Sequence, residues 1–174
     1  MRPAEEVLAL LDARQAPLPL VCIDGPAGAG KTTLANEIAA ARKLTVLHLD
    51  DVYPGWDGLD HFEPAVVAVL DALSAGRTAS YRRYDWYAGA HAEQVEIPAD
   101  RGLVIEGVGA GNARIAARAA VLVWVEAPIE VCDARWLARD NELMTTYGPA
   151  WREAERTLFA REQARDRADL VVRT

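Results

Sequence analysis

The sequence is poor in lysine. Lys31 and Lys43 are the only two among 19 basic residues, and the 174-residue chain carries a formal charge of −7. That balance argues against a general affinity for nucleic-acid backbones or anionic membrane surfaces. Cysteine is equally scarce. Cys22 and Cys132 lie in apolar surroundings without metal-ligand spacing, which points to two buried, reduced thiols rather than a metal site. Long hydrophobic runs are missing too: the longest one without a charge, Ala119 to Val125, is too short to span a membrane. The acidic opening segment, Met1 to Leu8, lacks the apolar stretch of a signal peptide, so the cytoplasm is the expected compartment. What is present is a 51% hydrophobic composition, ordinary for an α/β domain, and a length that suits one domain over residues 1–174.

One of the two lysines sits in the most informative stretch, Gly25-Pro26-Ala27-Gly28-Ala29-Gly30-Lys31-Thr32, followed by Thr33. Two glycines spaced for a phosphate loop, then lysine and threonine, match the P-loop (Walker A) pattern. The apolar segment Leu20 to Ile23 before it and the helical pattern Leu34 to Ala41 after it supply the strand–loop–helix context that the motif needs. Glycines let main-chain N–H groups turn towards an anion at a helix N-terminus. In that setting Gly25, Ala27, Gly28, Ala29, Gly30, Lys31, Thr32 and Thr33 are the candidate binding residues for a nucleoside triphosphate, ATP being expected. Lys31 would neutralise the β- and γ-phosphates, and the Thr32 hydroxyl would hold Mg²⁺.

Apolar segments at 20–23, 45–49, 103–105, 121–125 and 170–172 read as five strands, with helical patterns between them at 4–14, 31–42, 63–74, 112–118 and 128–139. Residues 77–101 read as irregular, 140–149 as a break, and 152–167 as a polar helix. The expected fold is therefore α/β of the P-loop NTPase type: a five-stranded parallel sheet in the order 2-3-1-4-5, helices on both faces, and a small helical lid near 135–152. Ligands in such a sheet sit beyond the carboxyl ends of the strands, which should bring Asp24, Asp50, Asp51 and Glu106 to one crevice. A P-loop transferase also needs an acidic group near Mg²⁺ and a base for the acceptor. Asp50 is placed to take a hydroxyl proton, and Glu106, with Asp50 and Thr32, to serve the metal.

These features in this order resemble the uridine kinase-like branch of the P-loop kinases. Members carry an Asp-x-Phe-Tyr motif where this chain has Asp50-Asp51-Val52-Tyr53, an acidic helix-opening stretch like Leu59 to Ala65, and a Tyr-Asp-aromatic segment like Tyr84-Asp85-Trp86. A Glu106-Gly107 strand end, an arginine-bearing lid like Arg135 to Asp140, and an Ala-Asp-apolar strand like Ala168 to Val172 complete the set. The resemblance implies that Asp50 is the base towards a ribose-like hydroxyl. It further implies that Tyr53, Asp60 and Tyr84 lie on the acceptor side, and that Arg135 and Arg139 reach the phosphates, where a guanidinium fork pairs with phosphate oxygens. Two departures concern the acceptor: Gly89 stands where the family has a base-contacting histidine, and Asp140 to Trp151 contains no arginine.

The expected activity is ATP- and Mg²⁺-dependent transfer of a phosphate to the hydroxyl of a small acceptor, a nucleoside first. A nucleoside monophosphate, sugar or coenzyme precursor remains open as acceptor, as does a nucleotide-binding switch without catalysis. A monophosphate would call on Arg82 and Arg83 for its own phosphate. The segment Tyr81 to Tyr87 reads as acceptor contact rather than a nucleic-acid patch, because the chain is acidic. His48 is expected to be a satisfied core histidine, and Trp56, Trp136 and Trp151 to be packing residues. No partner other than the small acceptor is expected; nothing in the sequence speaks to oligomeric state.

Overall fold

The computed structural model describes residues 2–174. Its frame is a parallel sheet of β1 (Leu20–Asp24), β2 (Thr45–His48), β5 (Leu103–Glu106), β6 (Val121–Glu126) and β7 (Leu170–Arg173), ordered β2-β5-β1-β6-β7. The remaining strands, β3 (Ala79–Asp85) and β4 (Ala90–Ile97), pair antiparallel as a separate hairpin. Residues 77–101, expected to be irregular, thus contain two strands, and the expected 2-3-1-4-5 becomes 2-5-1-6-7 in chain numbering. The hairpin has little apolar periodicity because it buries few residues, chiefly Ala79 and Ile97 at the end away from its turn.

The central strand explains why the parallel strands read as unbroken apolar runs. Every residue of β1 is buried; Leu20 and Cys22 face one core while Val21 and Ile23 face the other. On the second side lie α1 (Pro3–Arg14) and α2 (Lys31–Arg42), which contribute Val7, Leu11, Leu34 and Ile38. Pro3 opens α1 at a position where its missing N–H costs nothing. The first side is filled by α3 (Glu63–Ser74), through Val66 and Leu70, and by Ile115 of the short α4 (Ala113–Ala116). Leu158 of α5 (Ile129–Glu162) packs into the same core.

The helix expected over 112–118 is one turn long, capped by the Asn112 side chain accepting from the Arg114 N–H at 3.0 Å. The break expected across 140–149 shrinks to one residue, Asn141, with φ 32° and ψ −100°. Helix resumes through Gly148-Pro149, so the region expected to be a lid consists of two helical legs meeting at Asn141. The second leg ends at Glu162, Gln163 takes a left-handed conformation, and α6 (Ala164–Arg167) precedes β7. Among the described residues, no helix is long and apolar enough to cross a membrane.

Candidate active site

Parallel register places His48 beside Glu106, and Glu106 beside Ile23, at the carboxyl edge of the sheet. The phosphate loop leaves the same edge and delivers Lys31 and Thr32 as the first residues of α2. Gly28 has a φ of +84°, and a Cβ there would collide with the Cys132 main chain, so the loop can close against α5 only with glycine. A cavity of about 610 Å³ opens over this edge. Its floor and donor side are Ala27, Gly28, Gly30, Lys31, Thr32, Thr33, Asp50 and Glu106; Arg135 and Arg139 reach it from the first leg of α5.

Lys31 Nζ donates to the carbonyls of Gly25 and Pro26, both at 2.8 Å, curling over its own loop. Glu106 Oε1 accepts from the Thr32 hydroxyl at 3.1 Å and lies 2.6 Å from His48 Nδ1. Burial alone would raise the Glu106 carboxyl; the His48 bond, the Lys31 charge and the Thr32 hydroxyl outweigh it and hold the group below its ordinary value. The bond to Glu106 in turn raises His48. A hydroxyl and an ionised carboxylate side by side are hard oxygen donors, so Thr32 and Glu106 fit Mg²⁺, which takes few protein ligands when phosphates supply the rest. Asp50 opens onto the same cavity with its side chain 57% exposed, yet lies between the protein walls of the cleft. That desolvation, and then the Glu106 charge, raise its carboxyl above the ordinary range; Arg139, whose Nη2 lies 3.9 Å from it, and Lys31 oppose the rise.

The acceptor-side expectations fare differently. Tyr53 is fully buried: its hydroxyl donates to the Val108 carbonyl at 2.7 Å and its ring packs edge-on against Phe62 and Trp151. Asp60 is exposed and paired with Arg161 at 3.2 Å. Tyr84 packs against Trp86 and His91, and Arg83 is bound to Glu93 at 2.6 Å. None of the four lines the cavity. Arg82 donates to the Ala92 carbonyl and likewise stays outside. Asp24, expected in the crevice, lies beneath it and accepts from the N–H groups of Gly25, Gly109 and Gly111; burial pushes its carboxyl up to about 6. Gly25 and Ala29 act through the backbone of the loop rather than by lining the cavity.

In place of the expected acceptor residues stands a wall of rings. Trp56 stacks on Tyr147 at 4.7 Å and meets Trp86 and Trp151 edge-on at 4.9 and 5.8 Å. Trp56, Trp86, Tyr87, Trp136 and Trp151 all line the cavity, so the tryptophans pack against one another and face the ligand space together. Trp86 also donates its Nε1–H to the Asp50 carbonyl at 2.8 Å, fixing the hairpin tip to the strand-end turn. His48 is half-buried and lines the cavity, not the core. Its place at the end of a strand was the signal that it faces the ligand edge. Glu155, paired with Arg152 at 2.5 Å under the phosphate loop, had no such signal, being embedded in a polar helix.

No family profile and no curated protein sequence matches the chain. Solved structures do. A protein from Bacillus stearothermophilus assigned as a possible uridine kinase superposes with a TM-score of 0.66 at 20% identity, covering 96% of this chain and 99% of that one. One from a Silicibacter species, assigned as a fructose transport system kinase, gives 0.63 at 22% identity, covering 97% and 96%. Shikimate kinase from Acinetobacter baumannii, in complex with shikimate, gives 0.54 at 20% identity, covering 99% and 88%. The chain therefore has the P-loop fold that these kinases share, a possible uridine kinase among them.

Proposed function

We propose that this protein is an ATP- and Mg²⁺-dependent phosphotransferase that moves the γ-phosphate to a hydroxyl of a small acceptor, with a nucleoside as the acceptor. The observation that carries the reading is that Lys31 and Thr32, at the head of α2, share one cavity with Asp50 and Arg139. Lys31, Arg135 and Arg139 bind the phosphates and stabilise the charge that develops on them. Asp50, whose carboxyl is raised above its ordinary value by desolvation and the Glu106 charge, orients the acceptor hydroxyl and takes its proton. Mg²⁺ held at Thr32 and Glu106 would neutralise phosphate charge. The rings of Trp56, Trp86 and Trp151 suit a flat, ring-bearing acceptor. Arg82 and Arg83 bond to the Ala92 carbonyl and Glu93 and do not line the cavity, so a nucleoside is preferred here to an acceptor carrying its own phosphate.

The test is product analysis after incubation with ATP, Mg²⁺ and a panel of nucleosides, nucleoside monophosphates and sugars. A phosphorylated nucleoside is the expected outcome. Hydrolysis of ATP with no phosphorylated acceptor would instead point to a nucleotide-dependent switch.

A further inference from the structure

Ala27, within the phosphate loop, has both of its main-chain polar groups taken by the second leg of α5. Its N–H donates to Glu155 Oε1 and its carbonyl accepts from Arg152 Nη2, each at 2.8 Å. The two side chains then pair with each other at 2.5 Å, closing a ring of contacts around a single loop residue. Arg152 is anchored further by Asp133 at 2.7 Å and lies over the Trp136 ring. Glu155 is 2% exposed. A carboxylate leaves water at such a depth only if its lone pairs are matched, and three donors match them: Ala27 N, Arg152 and the indole N–H of Trp151 at 3.0 Å.

The third donor gives this network a reach beyond the loop. Trp151 belongs to the aromatic wall, where it meets Trp56 and Trp86 edge-on. Its N–H and the Ala27 N–H share the same oxygen of Glu155. One buried atom thus touches the donor half of the cavity on one side and the acceptor half on the other. Two donors on one acceptor are not independent, because moving either changes the geometry and strength of the other bond.

We propose that Glu155 is a positioning residue that holds the phosphate loop and the aromatic wall in a common register, so that occupancy of one half is felt in the other. The inference rests on the reading of the loop as a triphosphate site. A change made on the wall side of Glu155 should then reach the phosphate loop, so the shared register can be tested from the triphosphate side without a known acceptor.

The experiment uses the full chain, Mg²⁺ and a non-hydrolysable ATP analogue, with affinity measured by calorimetry. Failure of the wild type to bind would overturn the triphosphate reading and this proposal with it. Given binding, Glu155→Gln keeps the side-chain shape but sets an amide N–H against Arg152. It should weaken the analogue by about tenfold in protein shown by circular dichroism to be folded. Trp151→Phe keeps a six-membered aromatic ring and removes the indole donor together with the five-membered ring; it should move the Ala27 amide resonance in NMR spectra and change analogue affinity by about fivefold. A purely structural role predicts lower melting temperatures with analogue affinity within about twofold of wild type in both variants, and that result, or an unmoved Ala27 resonance, would overturn the proposal. If Glu155→Gln does not fold, Trp151→Phe decides.

Discussion

The two halves of the cavity are built by different means. The half proposed for the phosphate donor comes from one contiguous stretch, residues 25–33, plus strand ends that parallel pairing brings alongside it. Its chemistry is mostly main-chain and short-range: glycine dihedrals, a helix N-terminus, and one lysine folded over its own loop. The ring-lined half, proposed for the acceptor, is assembled from four separated segments, the loop holding Trp56, the hairpin tip with Trp86 and Tyr87, and the two legs of α5. Its contacts are ring against ring, with no fixed spacing in sequence. A local motif therefore encodes the first half, and packing alone assembles the second.

The largest expected effect separates binding from chemistry on the donor side. Asp50→Asn should lower phosphate transfer by about 10²–10⁴-fold and leave affinity for the ATP analogue unchanged, as read by product formation and calorimetry. Unaltered turnover would remove Asp50 as the base. Lys31→Ala should act on the other term, weakening triphosphate binding about 10–100-fold through loss of charged hydrogen bonds. On the proposed acceptor side, Trp56→Ala should raise the acceptor KM about 5–10-fold, the worth of a stacked and an edge-on ring contact, with a smaller change in ATP affinity than Trp151→Phe gives, because Trp56 makes no bond to Glu155. An equal fall in ATP affinity would show the two halves coupled by ring packing as well as through Glu155.

A pH profile sharpens the same comparison. Asp50 must be ionised to act as a base, and its carboxyl is raised by desolvation and by Glu106. Activity should accordingly fall, as pH is lowered, at a pH above the ordinary aspartate value of about 3.9. Arg139 opposes the rise, so Arg139→Gln should move that acid limb to higher pH as well as slow turnover. The smallest effects are expected from Asp60→Ala, Arg83→Ala and Tyr84→Phe, each within about twofold in KM, because exposed ion pairs and side chains outside the cavity contribute little. A tenfold loss at any of them, with stability intact, would show that the hairpin or the 60s turn moves onto the acceptor.

Much of the donor side was legible from composition and spacing, because its side chains follow directly from secondary structure. A strand that ends on Glu106, next to one that ends on His48, puts both at the ligand edge. Even there, two residues misled. Asp24 has the position of a site carboxylate but is consumed by three loop N–H groups, and His48 has the apolar neighbours of a core residue but lies at the open edge. On the acceptor side, Tyr53 and Tyr84 were the aromatic residues singled out by motif, whereas Trp56 and Trp86 reach the cavity. The hairpin that carries Trp86 was hidden because its alternation is short, running only over Ala79 to Arg83 and at Val95 and Ile97 among mostly polar residues.

The sequence by itself determined the parallel sheet, the phosphate loop and the carboxylates at the strand ends, since each depends on backbone preference and on burial repeated at short range. Tertiary structure decided which rings line the cavity, that Tyr53 is core and Asp60 surface, and that Arg152 and Glu155 clamp Ala27 from α5, more than 120 residues along the chain. Those outcomes depend on how separated segments meet. Packing and desolvation at that range leave no periodic trace in the sequence that carries them.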